Sequence, residues 1–144
     1  MTTARTVGTI ESPATEVWKY VGNFAGIDQF FPPLARSIGT GSGVGMQRKC
    51  VFRDGAELTE TLLALDNDKR TLKYKVHDPN GFPFENYVSV MSVKDLGAGR
   101  CELEWSAEFD AQGMPPADVT NLLQGLYQQG IDSLNSLTAK AKRS

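Results

Sequence analysis

The stretch from Pro115 to Lys142 constrains this chain more than any other. Apolar residues recur there at Val119, Leu122, Leu123, Leu126, Ile131, Leu134 and Leu137, the spacing of one face of a helix. Pro115 and Pro116 suit its opening, because the first turn has N–H groups without helical partners. Asp118 falls at the positive end of the helix dipole, and Lys140, Lys142 and Arg143 fall at the negative end. Burying each apolar side chain is favourable by roughly 1.5–3 kcal/mol, a gain that a lone helix does not collect. The rest of the chain must therefore supply an apolar surface. Gly125 and Gly130 interrupt the helix at about 1 kcal/mol each relative to alanine. Close packing against a sheet is the expected reason, and room for a non-protein molecule is the alternative.

The upstream residues read mostly as that surface. Thr3–Ile10 is rich in Thr, Val and Ile and reads as a first strand. Ser12 is placed as the cap of a short helix with Pro13 at its first position and Glu16 in its first turn. Val17, Trp18 and Val21 form its apolar side, and Gly22 ends it. A second helical piece, Phe24–Phe31, stops at Pro32 and Pro33. Strands then follow at Leu34–Thr40, Met46–Phe52, Ala56–Leu65, Thr71–His77, Glu85–Asp95 and Arg100–Phe109. Turn residues separate them, including the hairpin signal Asp54-Gly55. Strands, two short helices after the first of them and one long last helix make an α+β arrangement. A curved antiparallel sheet wrapped around the last helix satisfies both apolar faces. No repeat or linker divides the 144 residues, so one domain, 1–144, is expected.

Composition removes several function classes. The formal charge is −2 and no basic run precedes the last five residues, so nucleic acid is not an expected partner. No apolar run approaches the ~20 residues of a membrane span, and residues 1–7 lack the apolar centre of a signal peptide. A cytoplasmic protein is expected, monomeric or homodimeric. Cys50 and Cys101 stand in no ligand pattern and read as free buried thiols. With His77 the single histidine, no zinc site and no cofactor is expected.

Several local phrases, in this order, resemble one family: Ile10-Glu11-Ser12-Pro13 with Val17-Trp18, then Gly45 to Cys50, Glu60 with Asp66, Asn86-Tyr87, and Trp105-Ser106. The chain resembles the polyketide cyclase/dehydrase-like members of the START/Bet v 1 (SRPBCC) superfamily over nearly its whole length. The resemblance implies a helix-grip fold, a seven-stranded curved antiparallel sheet around the long C-terminal helix. It also implies a cavity for an apolar small molecule between them, with two short helices at one end. One stretch, from Glu60 through Leu65-Asp66 and Tyr74 to Asn86-Tyr87 and Ser89, is similar to the plant abscisic acid receptors. There the positions matching Glu60, Tyr87 and Ser89 meet the ligand or its waters. The sequence departs from those receptors in its short turn Arg53-Asp54-Gly55 and in having no lysine near Leu34 and Ala35.

The period of two sorts the strand faces. Leu72, Tyr74 and Val76 face inward, opposite Lys73, Lys75 and His77. Leu58, Glu60, Leu62 and Ala64 form a mainly apolar face with one carboxylate, which the resemblance also turns inward. Arg48, Cys50 and Phe52 are taken inward, with Arg48 near the mouth; so are Tyr87, Ser89, Met91 and Val93, and Leu103, Trp105, Ala107 and Phe109. The candidate ligand site is Phe52, Leu62, Tyr74, Met91 and Trp105, with Leu126, Tyr127 and Gly130 from the helix. Its polar groups are Arg48, Glu60, Tyr87 and Ser89. A mostly apolar cavity with a few convergent polar groups is the usual form of a small-molecule site.

Two chemical roles compete for Glu60. As a carboxylate in apolar surroundings it suits general acid–base work, with Tyr87 donating to a developing oxyanion. Alternatively it pairs with Arg48 and ties two adjacent strands together. Three functions follow. The first is binding of a hydrophobic small molecule or lipid, as a carrier, sensor or chaperone. The second is a cyclase- or dehydratase-type enzyme with Glu60 and Tyr87 as its acid–base pair. The third is protein interaction through exposed Phe82 and Phe84, although the loop Asp78–Phe84 reads better as a lid over the cavity mouth, together with Asp54-Gly55 and Phe30-Phe31.

Overall fold

The computed structural model describes residues 1–77, 79 and 81–143, with side chains up to residue 139. Asp78 and Asn80 of the expected lid, and the side chains of Lys140, Lys142 and Arg143, lie outside the described residues. The strands are β1 (Thr2–Ile10), β2 (Leu34–Thr40), β3 (Gln47–Phe52), β4 (Glu57–Asp66), β5 (Thr71–His77), β6 (Phe84–Gly97) and β7 (Arg100–Ala111). They form one antiparallel sheet in the order β1-β7-β6-β5-β4-β3-β2. The helices are α1 (Ala14–Val21) and α2 (Pro116–Arg143), and a 3-10 segment covers Phe24–Gln29. This is the helix-grip arrangement, with α2 lying across β1 and β7. Among the described residues no helix is long and apolar enough to cross a membrane.

α2 buries Val119, Leu123, Tyr127, Ile131 and Leu134, stepping by four and then three as one stripe of a helix does. Leu122 falls outside the stripe and is 44% exposed, while Leu126 and Leu137 are half-buried at its margins. The helix also covers a sheet edge. β1 has one open side, and an unpaired strand edge invites pairing with other chains. Thr120, Gln124 and Asn135 of α2 donate to the carbonyls of Thr3, Arg5 and Thr9 at 3.4, 3.1 and 3.2 Å. The amide of Glu11 donates to Asn135 Oδ1 at 2.9 Å. Helix and edge are thus joined by polar groups as well as by apolar burial.

α1 starts one residue later than its sequence suggests. Pro13 is extended (ψ 148°) and holds the cap position without a side-chain hydrogen bond. Its carbonyl accepts from the amides of Glu16 and Val17, and Ser12 is buried rather than capping. Cys50 and Cys101 are free and buried.

Two bulges reset the expected faces. In β4 the register shifts between Leu62 and Ala64. One extra residue flips every later side chain, so Ala64 is exposed and Leu65 packs on the core. The expected inward placement of Ala64 is corrected accordingly. In β6 the shift lies between Glu85 and Val88. Asn86 there has φ 53° and donates through Nδ2 to Asp110 Oδ2 at 2.8 Å. Asparagine tolerates this left-handed backbone better than most residues. The bulge breaks the alternation, so Phe84 and Tyr87, three residues apart, both point inward.

Candidate functional site

The space between the sheet, the 3-10 segment and α2 holds a cavity of about 50 Å³. That admits a few waters and is smaller than the roughly 150 Å³ that accommodates benzene. Six of the twelve residues selected from the sequence line it: Phe52, Glu60, Tyr74, Tyr87, Trp105 and Tyr127. The rest of the wall is apolar, with contributions from Phe31, Leu34, Phe82, Phe84 and Leu123. Leu123 replaces Leu126 because it lies one helical turn before Tyr127 on the buried stripe. The sequence places Phe84 and Phe31 in a lid over the mouth; the β6 bulge and an aperiodic segment hide their place in the wall itself. Leu62 and Met91 are buried in the core outside the cavity lining.

The other selected residues support the wall from behind. Ser89 donates to the Ser106 carbonyl at 2.8 Å and accepts from Trp105 Nε1 at 3.2 Å. Trp105 Nε1 also donates to Tyr74 Oη at 3.2 Å. The indole stacks on Tyr127 with centroids 4.6 Å apart and planes at 15°. Gly130 lies against its other edge, where an added Cβ would come within 2.8 Å of Trp105 Cζ3. This glycine therefore serves close packing. Gly125 is exposed, and an added Cβ there would meet nothing within 4 Å.

Arg48 is not near the mouth. It is 2% exposed and lies behind Glu60, its partner across the β3–β4 ladder. Its Nε donates to Glu60 Oε1 at 2.6 Å and its Nη1 to the Phe24 carbonyl at 2.8 Å. The guanidinium packs against the rings of Phe24 and Tyr74, at 3.9 and 4.6 Å from their centroids. The buried Arg48 Nη2 has no hydrogen-bond partner among the described residues. Burial opposes its charge, but Glu60, with Tyr74 and Cys50, holds its pKa above the ordinary value. The strand-tying pair foreseen for Glu60 is thus formed.

The Cys50 thiol donates to Glu60 Oε1 at 3.4 Å, and burial pushes its pKa up. Tyr87 and Tyr127 share a hydrogen bond through their hydroxyls. Burial raises the pKa of Tyr74, Tyr87 and Tyr127 well above the ordinary tyrosine value. These phenols therefore stay protonated and act as hydrogen-bond donors, not as bases.

Aromatic rings narrow the cavity on the Phe82 side. Phe82 packs on Phe52 and Phe84 with centroids 5.1 and 5.7 Å away. Phe84 is 4% exposed and Phe82 half-buried, which corrects the expectation of two exposed aromatics. His77 lies outside the cavity, hydrogen-bonded to Thr61 Oγ1. Among the described residues no cluster of His, Cys, Asp and Glu could hold a metal ion.

Residues 1–138 match the family model described as polyketide cyclase / dehydrase and lipid transport. No curated protein matches the sequence. Among solved structures, the protein XoxI from Bacillus cereus is 24% identical with a TM-score of 0.90, and 99% of each chain is covered. An uncharacterised Bacillus thuringiensis protein is 25% identical with a TM-score of 0.86, over 94% of this chain and 97% of that one. The di-domain ARO/CYC protein BexL, from the BE-7585A biosynthetic pathway, is 17% identical with a TM-score of 0.79. Its alignment covers 94% of this chain and 46% of BexL, and it shows a shared fold.

Proposed function

We propose, from the premise that this chain belongs to the polyketide cyclase/dehydrase and lipid transport family, that it binds a hydrophobic small molecule between its sheet and α2. The observation that carries this reading is the cavity itself. Aromatic rings form most of its wall, and they meet a single carboxylate, Glu60, and the phenols of Tyr74, Tyr87 and Tyr127. The ligand is larger than the present space, so rings must move on entry. Phe82 is the ring best placed to yield, because it is half-buried and follows a loop. The carrier, sensor or chaperone role is tested by native mass spectrometry of freshly purified protein. An excess mass that disappears on denaturation is expected. No excess mass, together with no thermal shift from a panel of aromatic and lipid compounds, refutes binding.

An enzymatic reading is favoured by one arrangement: Glu60 and Tyr87 line the same cavity. Tyr87, held protonated, is suited to stabilise a developing enolate or phenolate. The likeness of fold to an ARO/CYC protein makes cyclisation or dehydration of a polyketide-like substrate the reaction class to assay. On this reading Glu60→Gln, once circular dichroism shows the variant folded, abolishes turnover and preserves binding. Unchanged turnover in that variant removes Glu60 from the chemistry.

A further inference from the structure

We infer that Glu60 makes the cavity selective by charge: it admits an uncharged aromatic molecule bearing a hydroxyl donor and excludes ligands bearing a carboxylate. The inference rests on the proposed binding function. It follows from an inventory of the polar atoms a ligand would meet. Both hydrogen bonds to Glu60 from described residues, from Arg48 and Cys50, end on Oε1. Its Oε2 accepts none from the described residues, and Glu60 lines the cavity. A ligand therefore meets an anionic acceptor that lacks a donor. A ligand hydroxyl supplies that donor, and hydrogen bonds to an ionised group are about twice as strong as neutral ones.

The cation that would welcome a carboxylate is out of reach. Arg48 does not line the cavity, two of its three nitrogens are engaged, and the rings of Phe24 and Tyr74 pack against it. A ligand carboxylate would lie closer to Glu60 than to the guanidinium. It would give up its hydration for an apolar wall and a like charge, both of which are costly. At the other polar point, the hydroxyls of Tyr87 and Tyr127 are bonded to each other, with Tyr74 and Ser89 as their further hydrogen-bonding neighbours, so Glu60 is the point that distinguishes one ligand from another. The stacked rings of Trp105 and Tyr127 favour a flat molecule between these points.

Naphthalene, naphthol and naphthoate test this at neutral pH, since they share a ring system and differ in donor and charge. The Trp105 indole N–H resonance reports occupancy of the cavity in titrations of the intact protein. Naphthol is expected to bind most tightly and naphthoate roughly tenfold or more weaker, from the unpaired charge alone. Equal affinity for naphthol and naphthoate overturns the charge selectivity and leaves cavity binding intact. Equal affinity for naphthalene and naphthol overturns the donor requirement. Failure of all three to shift Trp105 overturns the preference for a flat aromatic ligand, and with no excess mass and no thermal shift across the wider panel it overturns the binding reading itself. Because Glu60→Gln strands a buried guanidinium and risks unfolding, the paired change Arg48→Met with Glu60→Leu serves as second variant. It is expected to bind naphthalene and to lose the preference for naphthol. A retained preference refutes the role of Glu60.

Discussion

Replacing Arg48 with methionine tests how the buried charge is held. The guanidinium and the Glu60 carboxylate are 2% and 6% exposed and 2.6 Å apart. Removing one side of such a pair leaves the other charge buried and costs about 3–5 kcal/mol. Loss of the contacts over Phe24 and Tyr74 adds about 0.5–2 kcal/mol. Unfolding entropy of about 2.1 cal/mol/K per residue gives a 144-residue chain about 0.3 kcal/mol/K. The single variant should therefore melt roughly 10–20 °C below the parent. Changing both partners, Arg48→Met with Glu60→Leu, removes both desolvation penalties. That variant should lie within about 2 kcal/mol of the parent, or above it. Urea unfolding of the parent, both single variants and the double variant gives the coupling energy directly. A loss under about 1 kcal/mol for Arg48→Met is the behaviour of a solvent-exposed pair, and would refute the buried arrangement. So would a double variant as unstable as the single one.

The helix glycines should respond with opposite signs. Gly125→Ala has open space and should stabilise by about 1 kcal/mol through helix propensity. Gly130→Ala drives a methyl into Trp105, and overpacking of about 1–3 kcal/mol exceeds that gain; thermal unfolding of both variants decides. In alkaline titration, the phenols of Tyr74, Tyr87 and Tyr127 should stay protonated past the ordinary tyrosine range near pH 10. Their folded pKa values are raised, so their stabilising contribution is full below pH ~10. It is lost as pH climbs from there towards the folded values. Phenolate absorbance of these residues should therefore appear together with loss of helical circular dichroism, and phenolate forming in a still-folded protein would contradict their burial.

Much of the fold was legible because its signals are local and periodic. The α2 stripe, the seven strands and the inward set Tyr74, Tyr87 and Trp105 all follow from periods near four and two. The site was legible only in part. Selecting Glu60, Tyr74, Tyr87, Trp105 and Tyr127 needed nothing beyond strand parity, the helix stripe and the family resemblance. Leu34 escaped, and Phe31 reads as lid and not as wall, because the segment around them has no period to read. Phe84 reads as an exposed lid residue and not as wall because the bulge at Asn86 reverses parity.

By itself, then, the sequence determined the elements, the apolar faces that must meet and the family. The elements and most faces depend on residue spacing along the chain, and the family on the resemblance of its local phrases. Tertiary structure decided what Glu60 touches, where Arg48 sits and how much space remains. Pattern places a side chain on a face but not at a depth. The depth of Arg48 follows from Phe24 and Tyr74 packing against it, and the narrowed cavity from Phe82 packing on Phe52 and Phe84. Those partners are brought together from four separate segments of the chain, and only the folded sheet sets their distances.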